Sequence, residues 1–217
     1  MAGLRGVITD WGGVMTNPIA DSVFAWLYAE GIDRDSYLRV MRKWVSQAYG
    51  DGDVNPIHAL ERGECTNEEF EVALAAELVM LDGGPVRGAG LLGRMFAGSR
   101  LDEGMVALLR QLRGAGVRTG LLSNSWGGSY PADVLAELFD AVVISAEVGM
   151  RKPEPRIFHH AAALLGLAPA ECVFIDDVEA NVAAAGQLGF TAVLHTQAAV
   201  TGRRLAELVE VRLTAGD

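Results

Sequence analysis

Four short segments of this chain place a polar or charged residue just past a buried apolar run or at the mouth of a loop. They are Val7-Ile8-Thr9-Asp10, Gly120-Leu121-Leu122-Ser123-Asn124, Met150-Arg151-Lys152-Pro153 and Val173-Phe174-Ile175-Asp176-Asp177. The first, second and fourth read as strands that end in their functional residue, and the third as a loop opening a helix. In an open α/β sheet, ligands bind at the carboxyl ends of the strands. Two aspartate sites, a Ser-Asn pair and a lysine would then converge on one crevice from far apart in sequence. An all-oxygen set of carboxylates suits a hard divalent cation, and a lysine with neighbouring hydrogen-bond donors suits a phosphate.

The elements that must position these residues follow a rhythm. From Leu101 onward, helix and strand alternate. Helices are expected over Asp102–Gly114, from Pro131 to about Leu138, and over Pro155–Gly166, Val178–Leu188 and Gly202–Leu213. Strands are expected over Val117–Leu122, Ala141–Ser145, Cys172–Ile175 and Thr191–His195, with Leu4–Thr9 as the first strand of the same sheet. Such alternation means βαβ units and a parallel sheet. Residues 17–98 break the rhythm. They read as helices only, over Asp21–Glu30, Arg34–Ala48 and Glu68–Met80, with a short turn near Pro56–Arg62 and a capping box of Thr66 with Glu69. The expected architecture is α/β: a Rossmann-like parallel-sheet core, residues 1–16 plus 99–217, with an inserted all-helical cap, residues 17–98. An insert at a strand's carboxyl end sits over the crevice.

Composition narrows the function classes. The chain has 217 residues and a net charge of −10, which argues against non-specific nucleic-acid binding and against an anionic membrane surface. No apolar run approaches the ~18 residues of a membrane span. No basic region followed by an apolar stretch opens the chain, so a cytoplasmic location is expected. Cys65 and Cys172 form no C-x-x-C pair, so neither a disulfide scaffold nor a zinc module is expected.

The four motifs, in this order and spacing, resemble those of the haloacid dehalogenase-like (HAD) hydrolases. They are Asp10 after a strand, Ser123 ending Leu-Leu-Ser, Lys152 in Gly-Met-Arg-Lys-Pro, and Asp176-Asp177 closing Val-Phe-Ile-Asp-Asp. The match is closest to the helical-cap (C1), phosphatase-like subgroup with a D-x-G first motif. The resemblance implies that Asp10 is a nucleophile forming an aspartyl-phosphate, with Lys152 and Ser123 as its catalytic partners. It implies that phosphate is bound by Trp11, Gly12, Ser123, Asn124 and Lys152, and Mg²⁺ by Asp10, the Gly12 carbonyl, Asp176 and Asp177. Asp177 is the better candidate for direct ligand. The implied reaction is Mg²⁺-dependent hydrolysis of a small, sugar-phosphate-like metabolite, by a monomer or homodimer without nucleic-acid or membrane partners.

One departure matters. Phosphatases of this family usually carry a second aspartate two residues after the nucleophile, as acid and then base. Here that position is Gly12. Loss of a positioned acid–base typically costs ~10²–10⁴-fold in rate. A substrate with an acidic leaving group, such as an anomeric or acyl phosphate, would tolerate the gap. Two alternatives follow: a C–halogen or C–P hydrolase, the latter using Lys43 as a Schiff-base lysine, or a silent phosphate-binding domain. The Asp176-Asp177 pair favours phosphate chemistry, and Lys43 reads as a solvated helix lysine.

Other features carry less. Gly88-Ala89-Gly90-Leu91-Leu92-Gly93 matches G-x-G-x-x-G without a preceding strand and reads as a flexible return from the insert. Trp26, Tyr28, Tyr37 and Trp44 read as the insert's core. His159-His160 read as surface or packing residues, and Asp21 and His58 as groups that would replace the missing acid.

Overall fold

The computed structural model describes residues 4–47, 55–127 and 130–208, with the side chains of residues 45–47 left out. Five parallel strands form one sheet: β1 (Gly6–Thr9), β2 (Arg118–Ser123), β3 (Ala141–Ile144), β4 (Cys172–Asp176) and β5 (Thr191–Leu194). Their order is β3-β2-β1-β4-β5. Thr9 is in register with Leu121 on one side and Ile175 on the other. Asp10, Ser123 and Asp176 therefore leave the sheet at nearly one level, which puts three of the four motifs at its carboxyl end.

Both faces of the sheet are covered, which is why the central strands read as continuous apolar runs. Val7, Leu121, Val173 and Ile175 pack with α6 (Glu103–Gly114), α7 (Ala132–Leu138) and α11 (Ala198–Leu208). Ile8, Leu122 and Phe174 point the other way, onto α9 (Pro155–Leu164) and α10 (Glu179–Gln187). Met105, Leu109 and Leu112 of α6 are fully buried, each contributing about 1.5–3 kcal/mol. The helix starts at Asp102, whose side chain accepts the Met105 N–H at 2.9 Å, a cap that contributes about 1 kcal/mol.

Between β1 and α6 the chain is helical: α1 (Ile19–Glu30), α2 (Arg34–Gln47), α3 (Pro56–Glu61), α4 (Asn67–Glu77) and α5 (Leu91–Met95). These helices share a core of their own, centred on Trp26, Trp44, Phe70, Leu74 and Met95. The chain enters and leaves this insert side by side. Thr16 and Leu101 form an antiparallel bridge, the Asn17 N–H donates to the Arg100 carbonyl at 3.0 Å, and the Asp102 N–H donates to the Met15 carbonyl at 2.9 Å. The α/β class and the helical run between strand one and the rest of the sheet are those the sequence implies.

Several details differ from expectation. The helix expected to reach Met80 ends at Glu77, because Val79 and Met80 turn into bridges with Pro85 and Ile32. The last helix begins at Ala198 rather than Gly202; its expected end at Leu213 lies outside the described residues, as does Ala48. Ser145 opens a short helix, α8 (Ser145–Val148), instead of ending β3. Gly88–Gly93 is not a loose return. The buried Glu71 carboxylate accepts the Gly90 N–H at 2.8 Å and the Leu92 N–H at 2.9 Å, anchoring the start of α5. Tyr28 is 91% exposed and lies outside the insert core, whereas Trp26, Tyr37 and Trp44 are buried in it. Among the described residues, no helix is long and apolar enough to cross a membrane.

Candidate active site

Lys152 is the centre of the charged cluster. It is 1% exposed, and its Nζ lies 2.7 Å from Asp10 Oδ1 and 2.7 Å from Asp176 Oδ2. A buried ammonium needs this pairing, because an isolated buried charge is strongly unfavourable. Asp176 is held on every side: its Oδ1 accepts the Val178 N–H at 2.8 Å, and Asn181 Nδ2 donates to Oδ1 at 3.1 Å and to Oδ2 at 3.2 Å. The Asp10 backbone is fixed by its N–H, which donates to the Ile175 carbonyl at 2.9 Å.

Asn124 positions the lysine. Its Oδ1 accepts the Lys152 N–H at 2.8 Å, and its Nδ2 donates to the Lys152 carbonyl at 3.1 Å. Both ends of the side-chain amide thus clamp the loop before α9. Ser123 Oγ lies 3.0 Å from the Tyr130 hydroxyl, and the Tyr130 ring meets Trp11 edge-on at 5.4 Å between centroids. The Trp11 carbonyl accepts the N–H groups of Met15 and Thr16 at 2.8 and 3.2 Å, closing the turn that follows Asp10. Gly13 is required in that turn: its φ is +77°, and a Cβ there would overlap the Asp177 carboxylate.

The electrostatics are those of a site with surplus negative charge. Burial pushes the Asp10 carboxyl above the usual carboxylate range; Lys152 opposes this, and Asp176 and Asp177 add to it. Burial and then Asp176 likewise raise Asp177. Burial opposes the charge on Lys152, but Asp10 and Asp176 outweigh it and hold the ammonium above the ordinary lysine value. Oxygens of Asp10, Asp176 and Asp177 lie within 4.8 Å of one another. Three carboxylates against one ammonium leave two negative charges unmatched, and the donors are all oxygen, so the set fits a hard divalent cation.

A cavity of about 700 Å³ opens over this cluster. Asp10, Trp11, Gly12, Ser123, Asn124, Lys152 and Asp177 line it; Asp176 is fully buried and reaches the site through Lys152. The other wall is the insert, with Ile19, Val23, Leu92, Met95 and Phe96. A Cβ at Gly12 would lie 2.7 Å from Ile19 Cδ1, so Ile19 fills the space where the family's second aspartate would project.

Asp21, His58 and Lys43 do not line the cavity. Lys43 pairs with Glu77 at 2.8 Å on the surface, as a solvated helix lysine does. Residues that sequence reasoning missed include Glu61, Trp126, Tyr130 and Asn181. Glu61, 7% exposed at its side chain, pairs with Arg151 and accepts the Trp126 Nε1–H at 3.0 Å. Arg62 pairs with Glu154 at 2.7 Å, so α3 is tied twice to the loop that carries Lys152. Asn181 had a faint signal, one turn into the helix after Asp176-Asp177; the other three had none.

Known proteins share sequence and fold with this chain. Acyl-CoA dehydrogenase family member 10 of Mus musculus is 28% identical over 199 residues, covering 88% of this chain and 17% of that protein. A sesquiterpene phosphatase of Aspergillus oryzae is 32% identical over 114 residues, covering 51% of this chain and 58% of the phosphatase. The chain therefore spans less than two thirds of the length of either relative. Among solved structures, a HAD family enzyme of Bacteroides thetaiotaomicron shares the fold, with a TM-score of 0.65 at 24% identity over 89% of this chain and 94% of that one. A second structure of that enzyme, in complex with magnesium and inorganic phosphate, has a TM-score of 0.60 at 23% identity, with 89% and 95% covered. The family model for haloacid dehalogenase-like hydrolases matches residues 4–189. With that match running from β1 to beyond α10, and so through all four motifs, the chain belongs to the haloacid dehalogenase-like hydrolases.

Proposed function

We propose that this hydrolase is a Mg²⁺-dependent phosphatase, releasing phosphate from a small phosphorylated molecule through an aspartyl-phosphate on Asp10. The observation that carries this reading is Lys152 Nζ, held 2.7 Å from both Asp10 and Asp176 beneath a cavity that a substrate can enter. Lys152 holds Asp10 Oδ1, which leaves the other carboxylate oxygen for attack. In the first step that oxygen forms a bond to phosphorus while the bond to the leaving oxygen breaks. In the second, water cleaves the acyl phosphate and the Asp10 carboxylate is restored. The Lys152 ammonium favours the ionised nucleophile and offers its charge to the phosphoryl oxygens. Ser123 and the backbone N–H groups of Trp11 and Gly12 are the further donors for the phosphate.

Asp10, Asp177 and the Gly12 carbonyl would hold Mg²⁺, with Asp176 completing the carboxylate cluster. A bound Mg²⁺ neutralises the surplus charge and polarises the phosphoryl oxygens. The A. oryzae relative is a phosphatase, and the B. thetaiotaomicron enzyme binds magnesium and phosphate, which supports the same chemistry here. The helical insert, residues 17–98, acts as the cap over a core of residues 1–16 and 99–217. Position 12 offers no proton, and Glu61 is engaged by Arg151 and Trp126. The leaving group therefore departs without a positioned acid, which favours weakly basic leaving oxygens.

Phosphate release from p-nitrophenyl phosphate, with and without Mg²⁺, tests the reading. Release that requires the metal and disappears in Asp10→Asn is expected. Metal-independent halide release from a haloacid, with no phosphate released, would replace this reading with dehalogenation.

A further inference from the structure

The two walls of the cavity differ in what they offer a substrate. Beyond the charged cluster, several polar groups on the walls are already bonded within the protein. Thr16 Oγ1 accepts the Gly13 N–H at 3.1 Å and donates to the Asn17 carbonyl at 3.1 Å. Asn17 Nδ2 donates to Ser22 Oγ at 3.3 Å, and Asn17 Oδ1 accepts the Arg100 N–H at 2.7 Å. One Glu61 oxygen accepts from Trp126 and the other from Arg151. Tyr37 adds a single phenol, which burial keeps protonated. Among the described lining residues the cations are Lys152, already paired with two carboxylates, and Arg100, which is exposed.

Most of the remaining surface is apolar: Ile19 and Val23 from α1, Leu92 and Met95 from α5, and Phe96 at its end. Ile19 sits directly beside Gly12, so apolar surface begins at the nucleophile's own turn. A sugar entering here would give up water at each hydroxyl and find many of those partners occupied, a penalty for every unpaired group. An apolar group loses no hydrogen bonds and gains by leaving water. The volume, about 700 Å³, falls within the roughly 300–1,000 Å³ of sites that enclose drug-sized molecules.

We infer that the substrate is a phosphomonoester of an apolar alcohol or phenol of at least one ring, its phosphate at the sheet end and its leaving group against α1 and α5. The inference rests on the phosphatase reading and narrows it, replacing the sugar-like leaving group that the sequence implies. The products are inorganic phosphate and the free alcohol or phenol. The oxyanion that leaves takes its proton from water, since Gly12 supplies none.

Cyclohexylmethyl phosphate and glucose 6-phosphate make the test. Both carry a primary phosphate on a six-membered ring, and they differ chiefly in the hydroxyls. The slightly more acidic sugar leaving group would by itself favour glucose 6-phosphate, so the opposite preference reports the walls. The expected kcat/KM favours cyclohexylmethyl phosphate by at least about tenfold, carried by KM. Ile19→Asn alters a partly exposed side chain and is expected to narrow that preference severalfold at an unchanged melting temperature. Equal or better turnover of glucose 6-phosphate by the wild type, with p-nitrophenyl phosphate hydrolysed, overturns the substrate class and leaves the phosphatase standing. An unchanged preference in Ile19→Asn overturns the placement against α1. No phosphate released from any ester overturns both readings together.

Discussion

At the sheet end, Asp10, Lys152 and Asp176 are locked by one another, by Asn124 and by Asn181, each fixed by a strand end or a helix start. On the insert's side of the same cavity, Ile19, Val23 and Met95 present methyl and thioether groups, and Thr16, Asn17 and Ser22 are bonded among themselves. The first wall fixes charges at short distances and tolerates little change. The second is defined by shape and by mostly apolar groups, and can be altered residue by residue. On the proposed reading, reaction type is written into the core and choice of substrate into the insert. The two walls meet at Gly12, where the core lacks a side chain and the insert supplies Ile19.

Breaking the charged wall has the largest expected effect. Lys152→Met leaves Asp10 and Asp176 buried without a counter-charge, a loss of about 3–5 kcal/mol in metal-free unfolding by denaturant. The loss is expected at pH 8 and is smaller at pH 5, where Asp10, its carboxyl raised by burial, takes up a proton. Equal stability of variant and wild type at pH 8 would mean that the cluster is not under charge stress.

Metal reads the same wall from outside. Asp10 and Asp177 have carboxyls raised above their ordinary values. Without metal, the stabilisation they provide is the protonated form's. It is fully present below the unfolded value of about 4 and is lost as pH rises through the folded value. Mg²⁺ binds the ionised carboxylates, so its effect has the opposite sign. At a hundredfold excess over Kd it adds about 2.7 kcal/mol, and the thermal shift is larger at pH 8 than at pH 5. A shift independent of pH would remove these aspartates from the metal site.

The tie between the walls is expected to matter less. Glu61→Gln can keep the Trp126 hydrogen bond but leaves Arg151 without its ion partner, at a cost of about 1–3 kcal/mol. Because the pair joins α3 to the loop holding Lys152, hydrogen exchange at α3 should quicken and KM should rise more than kcat falls. A change confined to global stability would show that the pair only holds the fold. Smallest is the repair of the seam. Gly12→Asp requires only the mobile end of Ile19 to shift, and is expected to raise turnover severalfold on alkyl phosphates while leaving aryl phosphates nearly unchanged. An equal gain on both would show that leaving-group acidity does not limit the wild type.

The core was legible in the sequence because its signals are local. A buried apolar run followed by a charge marks the ends of β1 and β4, and Asp102 followed by apolar residues at helical spacing marks α6. The insert was legible as helical but not in its details. Tyr28 reads as part of an aromatic stripe, yet residues two apart on a helix do not share a face, and Trp26 takes the buried one. Glu61, Trp126 and Arg151 meet across 65 and 90 residues of sequence, a pairing no local pattern encodes. The anchoring of α5 by Glu71 is hidden for the same reason. Asn124 was legible as a site residue, but its side chain clamps the Lys152 backbone, a task that only the folded loop reveals.

The most direct test of Asp10 as nucleophile is to quench the enzyme during turnover of p-nitrophenyl phosphate with Mg²⁺ and map any covalent phosphate by peptide mass spectrometry. With no base at Gly12 to activate water, the intermediate should accumulate, giving an initial burst and an acid-stable phosphate on the peptide carrying Asp10, absent in Asp10→Asn. Steady turnover with no phosphorylated peptide, or phosphate carried by another residue, would contradict covalent catalysis by Asp10.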